Sequence, residues 1–313
     1  MPDLPLLPTP PLAPPQNLQA LRELVVRIGR GEAGISLGAK ALGVIARLVE
    51  RPEEVALRSI TELATTLGVN ASTLSRLARS LGYDGFPAFQ AVFRASLADT
   101  RRFYSEQGHR LLAADPAADG TQDAYLGTVV TLARESMRNI GDSLAQLDAA
   151  ELRAAARLLA RARRVGVLGL RQIHAVASVL GYGLGLIRPD VGLLDAPGQG
   201  LAERLAHMGR HDVLLAISIS PYSRRVVETC RVAVANGVTL IALTDSRASP
   251  LAAHADHAFY LPHAGSFISN SLAAYVVFSE GLVNLVAREL GNKALLALQQ
   301  QERYIAELNI EMQ

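Results

Sequence analysis

Ser59-Ile-Thr-Glu62-Leu63-Ala64-Thr-Thr-Leu67-Gly68-Val69-Asn70-Ala-Ser72-Thr73-Leu74-Ser-Arg76-Leu77-Ala-Arg79-Ser-Leu81-Gly82-Tyr83 reads as two short helices joined by a tight turn. Ser59 followed three residues later by Glu62 is a capping box that starts the first helix. Leu63, Ala64 and Leu67 form its inner face, and Gly68 supplies the positive φ that ends it. Val69 plugs the turn, and Asn70 or Ser72 can cap the next helix. In that helix Leu74, Leu77 and Leu81 sit three or four apart, which turns Ser72, Thr73, Arg76 and Arg79 outward. Short polar side chains at the start of a second helix can meet base edges, and arginines can meet guanine or phosphate. The stretch therefore reads as a helix-turn-helix with Asn70, Ser72, Thr73, Arg76 and Arg79 facing double-stranded DNA. The alternative is an ordinary helical hairpin with a solvated basic face.

Charge is placed accordingly. The net charge is only +2, which excludes a polybasic protein, but the first 110 residues hold 13 Lys+Arg against 10 Asp+Glu. A nucleic-acid partner is expected at the N-terminal part.

Around this core, residues 1–16 form a proline-rich tail expected to be disordered. Helical patterns begin at Leu18 and about Leu37, the second stopped by Pro52, and a further helix is expected over Pro87–Tyr104. These make residues 17–104 an all-helical domain. Residues 105–123, small and polar, are expected to be a linker. From 124 to 313 helices at Tyr125–Ile140 and Ala149–Arg161 lead into short apolar runs at Val165–Leu170, Val191–Leu194, Val213–Ser218, Thr239–Thr244 and Ala258–Leu261. Helical patterns at about His174–Leu186, Leu201–Met208, Ser223–Asn236, Ser269–Leu290 and Lys293–Leu308 follow in alternation. That alternation predicts a parallel, doubly wound α/β sheet, with ligands at the carboxyl ends of its strands. The fold class is thus α plus α/β.

Half the residues are hydrophobic and 19% charged, so the chain has material for real cores. One cysteine, Cys230, excludes a disulfide framework and a Cys-based zinc site, and reads as a buried thiol. No secretory signal is visible. The longest uncharged run, Ala258–Ser279, is broken by Pro262, His263 and Gly265 and is no membrane span, so a soluble, cytoplasmic protein is expected. No motif calls for a cofactor or metal.

Directly after the second helix comes Leu81-Gly82-Tyr83-Asp84-Gly85-Phe86-Pro87-Ala88-Phe89. This resembles the RpiR/MurR family of bacterial transcription regulators, which carry a similar "LGY-x-GF-x-x-F" sequence at this place; the likeness covers about Leu18 to Phe93. Tyr83, Phe86 and Phe89 would pin the recognition helix to the next one. The resemblance implies a C-terminal sugar-isomerase-type (SIS) domain that binds phosphosugars, in agreement with the alternation above.

In the second part, Asp212-Val-Leu-Leu-Ala-Ile-Ser218-Ile-Ser220-Pro221-Tyr222-Ser223-Arg224 is a buried strand ending in hydroxyls, then a helix start. Unpaired N–H groups and the positive dipole end suit an anion there, with Ser218, Ser220 and Ser223 as extra donors; alternatively these serines only cap. SIS domains carry a similar Ser-x-Ser-Gly-x-Thr/Ser segment on the sugar phosphate, with Pro221 here in place of glycine. Thr244-Asp245-Ser246 and the residues to Asp256 resemble the family's next segment and are read as a capped turn. The family's Gly-x-Gly-x-Ser aligns with Gly169-Leu170-Arg171-Gln172-Ile173, so Arg171 replaces a glycine and Ile173 the ligand serine. Arg171 would clamp a carboxylate or phosphate, or else reach a structural carboxylate.

The reading is a DNA-binding regulator of sugar or related carbon metabolism. It senses a small anionic phosphosugar or sugar acid through Arg171, Ser218, Ser220 and Ser223, and works as a homo-oligomer, dimer or tetramer. It is not an enzyme. The alternatives are an SIS-type isomerase, for which His263 and Glu280 are the acid/base candidates, and a regulator whose SIS domain only dimerises, supported by Ile173 and Pro221.

Overall fold

Two compact units, residues 1–103 and 104–313, each carry their own core. The computed structural model describes residues 13–113, 123–198 and 200–311. The proline-rich start through residue 12 and the linker stretch 114–122 lie outside the described residues.

The first unit is helical: α1 (Leu18–Gly29), α2 (Ala39–Glu50), α3 (Pro52–Leu57), α4 (Ile60–Leu67), α5 (Ala71–Ser80) and the part of α6 (Phe86–Ala113) before Tyr104, which begins the second unit. Pro52 ends α2 as expected and also occupies the first turn of α3, where its missing N–H costs nothing. The capping box forms as spacing requires. Ser59 Oγ accepts from Glu62 N at 3.3 Å and Glu62 Oε2 accepts from Ser59 N at 2.8 Å. Gly68 sits at φ +68. Phe89 packs 5.5 Å from Tyr83, 5.7 Å from Phe86 and 4.9 Å from Phe93, ring centre to ring centre, closing α6 over α5. The Tyr83 hydroxyl donates to the Pro15 carbonyl at 2.8 Å. Buried Gln90 donates to the Val55 and Arg58 carbonyls, which satisfies the C-terminal end of α3 from α6. Residues 105–113, taken from composition as linker, continue α6.

The second unit has α7 (Ala124–Gln146), α8 (Ala149–Arg161), β1 (Val165–Gly169), α9 (His174–Ile187), β2 (Val191–Leu193), α10 (Leu201–Leu205), β3 (Val213–Ile217), α11 (Arg224–Ala235), β4 (Thr239–Thr244), β5 (His257–Tyr260), α12 (Ala273–Leu290) and α13 (Asn292–Glu307). All five strands are parallel, in the order β2-β1-β3-β4-β5. Val165, Val167, Leu215 and Ile241 point to the face covered by α8, α9 and α12, while Leu168, Leu214 and Ala216 point to the face covered by α11. A doubly wound parallel sheet results. The chain reverses direction across the sheet between β1 and β3, so their carboxyl ends diverge into a crevice. Cys230 is buried on α11, and burial pushes its thiol up to about 12, as an inert core group.

Two buried charges hold this unit. The Arg188 guanidinium donates to the carbonyls of Leu159, Ala162 and Arg163, neutralising the C-terminal end of α8. The Asp212 carboxylate accepts from Arg163, from Arg164 N at 3.1 Å and from Gly209 N at 2.8 Å, joining the entries to β1 and β3.

Candidate functional site

On the first unit, α5 buries Leu74, Leu77 and Ala78. The same spacing leaves Asn70, Ser72, Arg76 and Arg79 exposed, with Thr73 half-buried. Asn70 occupies the cap position without a side-chain capping bond, so its amide is not committed to the helix. All five residues therefore lie along the start and outer face of one helix.

On the second unit, a cleft of about 330 Å³ of open space lies at the diverging ends of β1 and β3, lined among others by Arg171, Gln172, Ser218, Ser223 and Asn270. Gly169 ends β1 because a Cβ there would stand 3.0 Å from the Ile173 carbonyl and 3.1 Å from Ala177, so only glycine lets α9 approach the strand. Arg171 follows at φ +62, a left-handed backbone that a glycine would take without strain. An arginine there costs roughly 1–2 kcal/mol. Its guanidinium donates to the Tyr104 hydroxyl at 2.7 Å and lies 5.5 Å from the ring centre. Ile173, at the position of the family's serine, is buried.

Across the cleft, Ser218 Oγ accepts the Ser223 N–H at 3.1 Å and keeps its own hydrogen to donate. Ser223 caps α11 by position only, since its hydroxyl makes no capping bond. Helix α11 then starts with Arg224 and Arg225 and has no acidic residue in its first turn. Cations at a positive helix end repel it, and an anion bound there would be held by both.

Ser220 does not line the cleft. Its N–H points to Asp245 Oδ2 at 3.4 Å and its carbonyl accepts from Asn270 Nδ2 at 3.0 Å. Gln172 completes the frame: Nε2 donates to the Asn270 carbonyl at 2.7 Å, and Oε1 accepts from Ser269 Oγ at 2.6 Å and Asn270 N at 3.2 Å. Three loops, after β1, after β3 and before α12, are thus tied around one opening. Thr244 Oγ1 stands 2.8 Å from the Ser218 carbonyl and 2.7 Å from Ser249 Oγ, which gives the strand-four segment its bracing role.

Asp245 and His263 meet behind Ser220, Oδ2 to Nε2 at 3.2 Å. Burial would raise the Asp245 carboxyl, but the His263 hydrogen bond and charge and the Tyr222 hydroxyl hold it below its ordinary value. Glu280 is exposed on α12. Sequence reasoning missed Gln172, Asn270 and Tyr104. Gln172 adjoins Arg171 and could have been suspected, whereas Asn270 is 98 residues from Gln172 and carries no local signal.

Among the described residues, no helix is long and apolar enough to cross a membrane.

With this geometry in place, the likeness to known proteins is consistent. Residues 42–100 match the model of the helix-turn-helix domain of the rpiR family, and residues 158–284 match the SIS domain. An HTH-type transcriptional regulator of Haemophilus influenzae is 29% identical over 67% of this chain and 70% of its own length. The regulator HexR of Pseudomonas aeruginosa is 26% identical over 66% of this chain and 67% of its own. Among solved structures, the sugar isomerase domain of an RpiR transcription factor from Sphaerobacter thermophilus superposes with a TM-score of 0.53 at 29% identity, covering 56% of this chain and 97% of that one. The Vibrio vulnificus NanR protein complexed with ManNAc-6P shares the fold at 19% identity and a TM-score of 0.53, covering 91% of this chain and 98% of that one.

Proposed function

Because the chain belongs to the rpiR family of transcriptional regulators, with a helix-turn-helix domain followed by a SIS domain, we propose that its SIS unit senses a compact anionic metabolite, a phosphosugar or a sugar acid. The observation that carries this reading is Arg171. A large cation is kept in a strained, glycine-like backbone conformation at the mouth of the switch-point cleft. Ser223, Ser218, the α11 N-terminus and the Gln172–Asn270 frame face the same opening. The frame is tied by its own hydrogen bonds before any ligand enters, so little ordering cost attends binding.

On DNA, Asn70, Ser72 and Thr73 reach base edges, Arg76 reads a guanine and Arg79 contacts phosphate. One helix-turn-helix buries too little surface for operator affinity, so the protein acts as at least a dimer on a pseudo-palindromic site with half-sites about 10 bp or a multiple apart. Exposed Leu295 and Leu296 on α13, with Leu308 and Ile310 beyond it, supply apolar surface for pairing. The proposed targets are genes of sugar or related carbon metabolism. The effector governs DNA affinity without being turned over, and the domains divide as residues 17–104 and 124–313.

The deciding experiment is calorimetric titration with a panel of phosphosugars and sugar acids, followed by gel shift with and without the compound that binds. A saturable ligand that changes operator affinity and is recovered unchanged supports the reading. Isomerised product would point to an enzyme using the Asp245–His263 pair instead. If no anionic metabolite binds, the SIS unit serves for pairing alone.

A further inference from the structure

A second hollow opens at the other end of the sheet, at the amino-terminal ends of β1 and β2, with about 620 Å³ of open space. Gly166 and Gly192 lie at its base, covered by Leu194, Met208 and Arg204. The two glycines are partners in the parallel register, so both turn their missing side chains to the same face. A Cβ on Gly192 would stand 3.3 Å from Arg204 Nη1, and one on Gly166 would collide with Leu194 and crowd Met208. The guanidinium therefore lies against the β2 peptide, with the thioether of Met208 beside it.

Charge in this hollow is one-sided. Arg204 Nε is buried without a hydrogen-bond partner among the described residues. A buried donor of a charged group left unmet is costly, and such exceptions in a folded protein call for a reason. Arg164 lines the same hollow and donates to the His207 carbonyl at 3.1 Å, which fixes a second guanidinium beside the imidazole-bearing residue. The one carboxylate in the lining is Asp190, which Arg163 and Arg188 also feel electrostatically. Two guanidinia and a histidine thus line the hollow with a single carboxylate. The remaining wall, Leu194 and Met208 packed over Gly166, offers an apolar rest.

We propose that this hollow is a second small-molecule site, separate from the switch-point cleft, that takes a phosphate monoester with a flat neutral body. The phosphate sits between Arg164 and Arg204 and the body lies against Leu194 and Met208, the side chains that cover Gly166. Arginine forks match phosphate geometry.

Met208 is one of four methionines in the chain and reports on the hollow directly. The full chain labelled with carbon-13 at the methionine methyls is titrated with AMP, adenosine and inorganic phosphate up to about 10 mM. The Met208 signal is identified by its loss in Met208→Leu. AMP should move the Met208 methyl saturably and at lower concentration than phosphate, and adenosine should leave it in place. Arg204→Gln should weaken the AMP response about tenfold or more. Gly192→Ala, which keeps every charge but crowds the guanidinium, should weaken it several-fold and decides the matter if Arg204→Gln melts early. Arg171→Gly should leave the response unchanged, which separates this site from the cleft on the opposite end of β1. A Met208 signal that stays still with every probe overturns the proposal. So does an equal response in wild type, Arg204→Gln and Gly192→Ala, or one as strong with adenosine as with AMP.

Discussion

The Arg171 guanidinium and the Tyr104 hydroxyl are joined by a 2.7 Å hydrogen bond, and the cation lies 5.5 Å from the centre of the same ring. A neutral phenol orients the charge without neutralising it, so the cation stays available to an anion in the cleft. The chain accepts a left-handed arginine for this placement.

Stability and binding should therefore part company at this residue. Arg171→Gly relieves the backbone strain but also removes the Tyr104 contact, and glycine loosens the unfolded chain. The net change in unfolding free energy should stay within about 1 kcal/mol. Affinity for the anionic effector should fall about tenfold or more. Thermal melts and calorimetry on the same preparations check both. A loss of several kcal/mol with binding intact would make Arg171 a structural residue.

Ser223 and Ser220 should behave differently, although the sequence offers them as equals. Ser223 lines the cleft with a hydroxyl that makes no capping bond, while Ser220 is held there by its backbone, between Asp245 and Asn270. Ser223→Ala should cost about 1.5–3 kcal/mol of effector binding, and Ser220→Ala clearly less. DNA affinity without effector should be unchanged in both. Equal losses would place the Ser220 hydroxyl on the ligand.

On α5, Arg76→Ala should remove about 1–3 kcal/mol of operator binding and flatten sequence preference. Arg79→Ala should weaken all sequences alike and lower the salt slope by about one unit. Gel-shift titrations at two salt concentrations on specific and random DNA distinguish the two. Unchanged affinity in both variants would mean that another helix reads the DNA.

Asp212 sets an acid limit on the second unit. Burial raises its carboxyl, and the Arg163 hydrogen bond with the N–H groups of Gly209 and Arg164 more than reverses this, leaving it below its ordinary value. Its contribution is therefore complete above the unfolded value of about 3.9 and is lost as pH falls through the lower folded value. Asp212→Asn should cost about 3 kcal/mol at neutral pH, the low end for a broken buried pair because the Arg163 side chain is 57% exposed. The difference from wild type should shrink in denaturant titrations near pH 3. A constant difference across pH would show that the carboxylate's charge is not what counts.

Much of this protein is legible residue by residue, wherever the cause is local. The capping box at Ser59, the turn at Gly68 and the leucine spacing of α5 each follow from interactions within a few residues, and the helix-turn-helix follows from them. Uninterrupted apolar strands separated by amphipathic helices leave a parallel sheet as the one arrangement that buries both faces. The crevice after β1 and β3 was legible too, because a glycine-ended strand and a hydroxyl-ended strand mark their own carboxyl ends. Composition gives no helical signal at residues 105–113, where polar, weakly patterned sequence continues α6.

What only the tertiary structure decided is which polar groups face the opening and which brace it. Ser218, Ser220 and Ser223 are alike in sequence, yet Ser218 turns to the Ser223 amide while the Ser220 backbone is held by Asp245 and Asn270. Those partners arrive from the turn after β4 and the loop before α12, 25 and 50 residues away. The chain alone identified the residue types and the strand ends, because propensity, capping and periodicity act over one or two turns. The direction of each hydroxyl, the Gln172–Asn270 frame and the uncompensated Arg204 depend on which distant segment is packed alongside, and no local pattern encodes that.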